Sequence, residues 1–284
     1  MTSIIAALLA AAFFAVGSVL QHAAASAPGV PDGSTALRLT AHLAGRPRWL
    51  LGLLAGGVGL MLHALALHTG QVAVVQPLLA TGLVIALLLA AVTGHPPGRG
   101  QWASAGGVVI GLGLFLASAQ PAAGTARAHG PVLALASIGA LLLCALVRLA
   151  TARPGARHAA LLLGVAAGTG FGVVGALLKQ VVDTPPSHLA LSWPPYALVL
   201  LGATSLTLAQ AAYQAGDLVE CLPALTVLEP LVAVAVGASA FSEALQSSPA
   251  ARIGQVLGVV VVTGSVIRLV ALQARADERA IILQ

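Results

Sequence analysis

Runs of apolar residues, each long enough to cross the roughly 30 Å of a bilayer's hydrocarbon core, succeed one another along the whole chain. Windows of about 19 residues place nine helices, at roughly 3–22, 49–68, 71–93, 102–120, 131–149, 158–181, 194–214, 218–242 and 252–272. The segments between them hold residues that break helices: Pro28 to Gly33, Pro96-Pro97-Gly98, Pro121 to Gly130, Pro154-Gly155 and Pro185-Pro186. Trp49, Trp102, Trp193 and Tyr196 stand at span starts, where amphipathic rings prefer the headgroup level. Only 7% of the 284 residues are charged and 58% are hydrophobic, whereas soluble domains carry about 25% charged residues. That balance excludes a water-soluble enzyme, a disordered chain and a disulfide-stapled secreted scaffold. The fold expected is all-α, a polytopic membrane protein forming one transmembrane domain over 1–284.

The 13 basic residues outnumber the 8 acidic ones, but they form no dense patch, so no nucleic-acid partner is expected. In a membrane protein, excess Lys and Arg mark cytoplasmic loops. With nine spans, alternate connections lie on opposite sides. One side receives Arg38, Arg46, Arg48, Arg99, Arg148, Arg153, Arg157, Arg268, Arg275 and Arg279; the other receives Arg127, Lys179 and Arg252. Ten against three places the N-terminus outside and the C-terminus, with a short tail at 273–284, in the cytoplasm. Arginine outnumbers lysine twelve to one and alanine is abundant, which suggests a GC-rich bacterial genome and so the bacterial cytoplasmic membrane.

The first segment is read as a retained helix rather than a signal peptide. Its apolar run from Ile4 to Leu20 exceeds the usual 7–15 residues, and no Lys or Arg precedes it. Segment 23–48 carries Asp32, Arg38, His42, Arg46 and Arg48, too many charges for a span. Leu37, Leu39 and Leu43 would let part of it lie along the interface; a solvated loop is the alternative. Cys144 and Cys221 fall inside apolar runs and make no disulfide or metal pattern.

The chain also resembles itself. Val16-Gly17-Ser18-Val19-Leu20-Gln21 sets against Val174-Gly175-Ala176-Leu177-Leu178-Lys179. Leu60 to Gly70, followed by Gln76-Pro77, sets against Leu206 to Gly216, followed by Leu222-Pro223, with Gly and Pro at one constant offset. The repeat implies two four-helix units, about 3–120 and 158–272, joined by one helix at about 131–149. An odd joining helix inverts the second unit, the architecture many secondary transporters use for alternating access.

Glu229 is the most informative residue. It lies mid-span with Pro230 after it, where an acid costs about 2.5–3.5 kcal/mol on insertion scales. It is read as a protonatable carboxylate facing a central cavity, against the alternative of a protonated packing residue. Pro77 and Pro223 occupy equivalent repeat positions, and Pro230 adds another interruption. Breaks at corresponding positions in two halves point to a transporter site. Gln76, Gln210, Gln214 and Tyr213 are expected to line the path. Glu220 and Asp217 suit a first helical turn, with a cation-attracting vestibule at Glu220 as the alternative. His63 is expected to be a packed, hydrogen-bonded imidazole, and His22, Lys179 and Gln180 to reach the interface without a role. Gly164, Gly168 and Gly172, like Gly52 and Gly56, recur every fourth residue and should let helices pack closely.

No Walker loop, His/Glu metal motif or Ser–His–Asp context occurs, so neither an enzyme nor a cofactor is expected. Few charges occupy the spans, which argues against a wide ion pore or a voltage sensor.

The segments Val75-Gln76-Pro77-Leu78-Leu79 and Leu222-Pro223-Ala224-Leu225-Thr226-Val227-Leu228-Glu229-Pro230-Leu231 resemble the drug/metabolite transporter superfamily (EamA-like). So does the Gly-rich span 252–272, which follows Phe241-Ser242-Glu243. The nine-helix count and Val19-Leu20-Gln21-His22 bring it closest to the NIPA-like magnesium transporter branch. The superfamily's common pattern has one helix more, and the first half ends on Gly94-His95-Pro96 where the second ends on Glu243. The resemblance implies a secondary, non-ATP transporter moving a small solute or cation, with Glu229 coupling it to a proton. A Mg²⁺ or other divalent-cation transporter is the first alternative, although a single deep acid is thin ligation for Mg²⁺. A non-transporting membrane scaffold subunit is the second. The partners expected are the bilayer and the transported solute or ion, with a homodimer left open.

Overall fold

A computed structural model of the protein describes residues 1–25, 45–92, 97–120, 122, 124–125, 127–151, 159–215 and 218–282. The described residues form α1 (Thr2–Ala25), α2 (Pro47–Thr69), α3 (Val72–Leu79), α4 (Gly82–Val92), α5 (Arg99–Ala119), α6 (Gly130–Ala150), α7 (Ala159–Val182), α8 (Pro186–Leu189), α9 (Pro194–Ala215), α10 (Leu218–Ala240) and α11 (Pro249–Ile282). Pro47, Pro131, Pro186, Pro194 and Pro249 stand in first turns, where the missing N–H costs nothing. Among the described residues, Pro47–Thr69, Val72–Leu89, Arg99–Ala119, Gly130–Ala150, Ala159–Val182 and Pro249–Leu269 are each long and apolar enough to cross a membrane. Thr2–Gly17, Pro194–Ala209 and Val227–Ala240 are shorter apolar stretches. The protein is an all-helical bundle built for a bilayer; its lone β-feature among these residues is an isolated bridge between Ala122 and Ala244.

Three helices depart from expectation. The third span is two helices, α3 and α4, parted at Ala80-Thr81 just beyond Pro77. The Ala80 N–H turns back to Pro77 O at 3.1 Å, and Leu78 O takes both the Thr81 N–H and its hydroxyl, at 3.1 and 2.7 Å, so the α ladder stops there. By contrast α10 runs unbroken through Pro223 and Pro230. One absent backbone bond is tolerated when a neighbouring helix holds the segment, and α7 does so. The last helix continues to Ile282, so most of the expected tail is helix. Segment 23–48, with its interfacial alternative, falls largely outside the described residues.

Without a hydrophobic driving force between helices in lipid, packing rests on close backbone approach. Gly17 of α1 meets α2 so tightly that a Cβ there would lie 2.9 Å from Gly52 O and 3.2 Å from Gly56 N. Gly168 and Gly172 of α7 meet α10 in the same way, a Cβ on Gly172 falling 2.6 Å from Glu229 O. Gly111 and Gly258 join α5 to α11. The first helix of each half thus packs on later helices of its own half, while the closing helices α5 and α11 pair with each other. Of the six long spans α7 is the most buried.

The connections 70–71, 120–129, 183–193 and 241–248 meet at one end of the bundle. Backbone bonds tie the second connection to the fourth: Ala122 N–H to Ala244 O at 2.8 Å, Gln246 N–H to Ala119 O at 2.8 Å and Thr125 N–H to Phe241 O at 2.6 Å. The Gln180 amide oxygen, expected to have no role, accepts from Ala128 N–H at 2.8 Å. Trp102, Trp193 and Tyr196 are exposed near helix starts.

Candidate functional site

A cavity of about 540 Å³ lies between the two halves, lined by Phe14 and Gly17 of α1, Gly56 of α2, Phe171 of α7, Leu206 of α9, and Leu225 and Glu229 of α10. The close α1–α2 approach at Gly17 and the α7–α10 approach at Gly172 fix two of its walls. The second approach also fixes Glu229, because α7 abuts the main chain of that residue. Glu229 is the one charged side chain among the described lining residues. Leu206 is 54% exposed, so the cavity reaches the outer face of the bundle there.

Gln76 stands elsewhere. Its amide nitrogen donates to His63 Nε2 at 3.3 Å, its Oε1 has no partner among the described residues, and only 3% of the residue is exposed. Gly175 of α7 makes room for that amide, since a Cβ there would run into it. His63 in turn meets the edge of Phe14, ring centroids 6.3 Å apart at 84°. Gln76 is not among the described residues lining the Glu229 cavity and is linked to it through His63 and Phe14. His63 is buried against two neighbours on the same line.

The prolines do not break a helix at Glu229 either. Pro77 and Pro230 line a different, apolar pocket of about 50 Å³, with Leu112, Phe115, Val234 and Val262 among its walls. The two halves meet there through α3, α5, α10 and α11. Gln210 and Tyr213 belong to α9, and Glu220 and Pro223 to α10, but their side chains lie outside those described, as do Gln214 and Asp217.

Sequence reasoning missed a polar clamp at the bundle end where the four connections meet. The Glu243 carboxylate receives the first N–H groups of α3, Val72 N at 2.7 Å on Oε1 and Ala73 N at 2.9 Å on Oε2. Anions suit a helix N-terminus. Ser242, at φ 55°, turns the chain so that this carboxylate points back, and Gly237 lets it lie against the last turn of α10. Lys179 closes the other side of the same turn, its Nζ donating to Leu67 O at 2.9 Å and Gly70 O at 2.8 Å, the carbonyls that end α2. It also faces Asp183 Oδ2 at 3.5 Å and the Phe241 ring at 5.6 Å, and His68 Nδ1 donates to Asp183 Oδ1 at 2.7 Å. Lys179, expected to reach the interface, is 7% exposed. Burial pushes the Glu243 carboxyl above its ordinary range, against the pull of the Ala73 and Val72 amides and Lys179. The second half thereby grips the α2–α3 turn of the first from both sides.

Among the described residues no three His, Cys, Asp or Glu side chains converge as metal ligands. No family model matches the chain, and no solved structure matches it. It is similar to an uncharacterized protein of Corynebacterium glutamicum, 28% identical over an alignment of 259 positions that covers 86% of each chain.

Proposed function

We propose that the protein is a secondary transporter of the drug/metabolite type, moving a small solute or cation by alternating access in exchange for a proton carried on Glu229. One observation carries this reading: Glu229, the one carboxylate among the described lining residues, stands at a cavity walled by helices of both halves. A carboxylate in such a place exchanges its proton only with whatever enters the cavity. The clamp at Lys179 and Glu243 supplies the closed end that alternating access requires, and the glycine contacts supply seams along which helices can slide. The nine-span inverted repeat is supported by the equivalent packing of α1 on α2 and of α7 on α9. The basic-residue count favours this end as the outer one, in a bacterial cytoplasmic membrane.

Mg²⁺ transport has less support, because that ion demands several oxygen ligands and holds its water tightly, while the described lining offers one carboxylate. Flux in proteoliposomes tests the proposal, with a pH dye and a Mg²⁺ dye in parallel vesicles and a metabolite panel added outside. Solute-driven proton movement lost in Glu229→Gln is expected. Mg²⁺ entry without proton movement would replace the reading with the divalent-cation one; silence in both channels would leave the scaffold reading, and proton movement unchanged in Glu229→Gln would remove Glu229 from the coupling.

A further inference from the structure

Resting on that reading, we propose that α3 is the gate of the clamped end. It is hinged at Ala80-Thr81 and latched to the second half by Glu243 and Lys179, and its release opens the cleft between α1 and α10 towards the Glu229 cavity. The two ends of α3 are held by different halves of the molecule. The second half grips the N-terminal end, through the Glu243 bonds to Val72 and Ala73 N–H and the Lys179 bonds to Leu67 O and Gly70 O just before it. The C-terminal end is fixed to the first half. There α4 begins at Gly82, which lies so close to α1 that a Cβ would stand 3.2 Å from Ala11 O. Alternating access moves one half against the other, so one end of α3 must let go. The hinge end is continuous chain pinned by close packing, whereas the latched end is held by polar contacts that water can replace.

The segment is built to move as a unit. It is eight residues long, and a helix so short has little stability of its own. Pro77 has no N–H to give, and the α ladder stops at Ala80-Thr81. α3 packs mainly on α1 and α10, the helices that carry Phe14 and Gly17 on one cavity wall and Leu225 and Glu229 on another. It therefore fills the cleft between those walls at the clamped end. Its contacts with the second half fall on glycines: Val72 lies against Gly237 of α10, and the Gln76 amide against Gly175 of α7. Neither side chain is caught behind a Cβ when α3 withdraws. The apolar pocket at Pro77 and Ala80 leaves about 50 Å³ beside the hinge.

Amide hydrogen exchange of the full chain in lipid nanodiscs reads the movement. In wild type the amides of Val72–Leu79 should exchange at one common rate, which falls sharply at Gly82. A rate that declines gradually from Val72 inward marks ordinary fraying and overturns the gate, and this reading stands even if a variant fails to fold. Glu243→Ala should speed exchange across the whole of α3 about tenfold or more, while α4 and α10 change less than about twofold. Faster exchange confined to Val72 and Ala73 would make Glu243 a helix cap only, and an equal rise in α4 would be general loosening; either overturns the gate. The path is read with Gly56→Cys, which sets a thiol at the cavity wall in open space, in a background lacking Cys144 and Cys221. The clamped face is the one from which Arg127→Cys reacts with an impermeant reagent. From that face Glu243→Ala should speed modification of the thiol at position 56 about tenfold or more; an unchanged rate overturns the gate. None of these readings needs a solute, so the carrier reading is judged separately. Proton flux lost in Glu229→Gln, together with an α3 that exchanges like α4, keeps the carrier and removes the gate. An opening α3 without solute-driven flux keeps the movement and removes the carrier.

Discussion

Lys179→Met isolates what the buried ammonium does, because methionine keeps most of the stem and its packing. The ammonium donates to Leu67 O and Gly70 O at 2.9 and 2.8 Å, and each such charge-assisted bond is worth about 1.5–3 kcal/mol. Leu67 is fully buried and its carbonyl would be stranded, whereas Gly70 is half-buried and water can replace part of the loss there. The expected destabilisation is therefore about 2–4 kcal/mol, below the simple sum of two bonds. Asp183 offers a competing explanation, since its Oδ2 stands 3.5 Å from the same nitrogen. If Lys179 served mainly to neutralise Asp183, adding Asp183→Asn would restore stability. The carbonyl account instead predicts that the double variant stays within about 1 kcal/mol of Lys179→Met. Reversible unfolding in mixed micelles, titrated with dodecyl sulfate and followed by circular dichroism, reads all three variants. A loss under about 0.5 kcal/mol for Lys179→Met, or rescue by the second substitution, would refute the reasoning.

Other consequences follow from the same geometry. Gln76→Met should leave solute-driven proton flux within about twofold of wild type, because Gln76 is bonded to His63 and is not among the described lining of the Glu229 cavity; a loss as deep as that of Glu229→Gln would keep Gln76 in the transport path. Gly172→Val should lower stability by about 1–3 kcal/mol, the cost typical of overpacking, since its Cβ would lie 2.6 Å from Glu229 O; an unchanged unfolding midpoint would contradict the tight α7–α10 seam. The raised Glu243 carboxyl means that the folded state holds this proton more firmly than the unfolded one. Its contribution to stability is present below the ordinary carboxylate range and is lost as pH rises through the raised value. Melting curves against pH should show this slope in wild type and not in Glu243→Gln. Single cysteines at Arg127 and Leu191, in a background lacking Cys144 and Cys221, should react with an impermeant maleimide from the same side of the membrane; labelling from opposite sides would undo the grouping of the four connections.

The helices were legible because an apolar window of bilayer length needs no tertiary context, and the glycines at every fourth position of α7 announced a close seam before its partner was known. Glu229 stood out for the same reason, an acid alone in a hydrocarbon run. The clamp was not legible. A lysine at a span end ordinarily reaches water, and nothing local to Lys179 indicates that the carbonyls closing α2, 112 residues earlier, would capture it. Glu243 was noticed as a terminal acid, but its ligands are amides 171 and 170 residues upstream. Gln76 was expected to line the path, and nothing local to it indicates that His63, one helix back, would hold its amide. Pro230 was read as an interruption although the backbone support from α7 carries α10 through it. In each case the missing information was which helix lies alongside, and short apolar sequences do not specify that.

The central claim is that Glu229 is the group whose proton is exchanged in the cavity. Dicyclohexylcarbodiimide, which reacts with protonated carboxyls in apolar surroundings, tests it directly in proteoliposomes, with the modified residue located by peptide mass spectrometry. The account predicts that Glu229 is modified, that solute present in the cavity slows the reaction, and that modified protein no longer moves protons in response to solute. Glu229 left unmodified, or modified protein transporting at the wild-type rate, would contradict it.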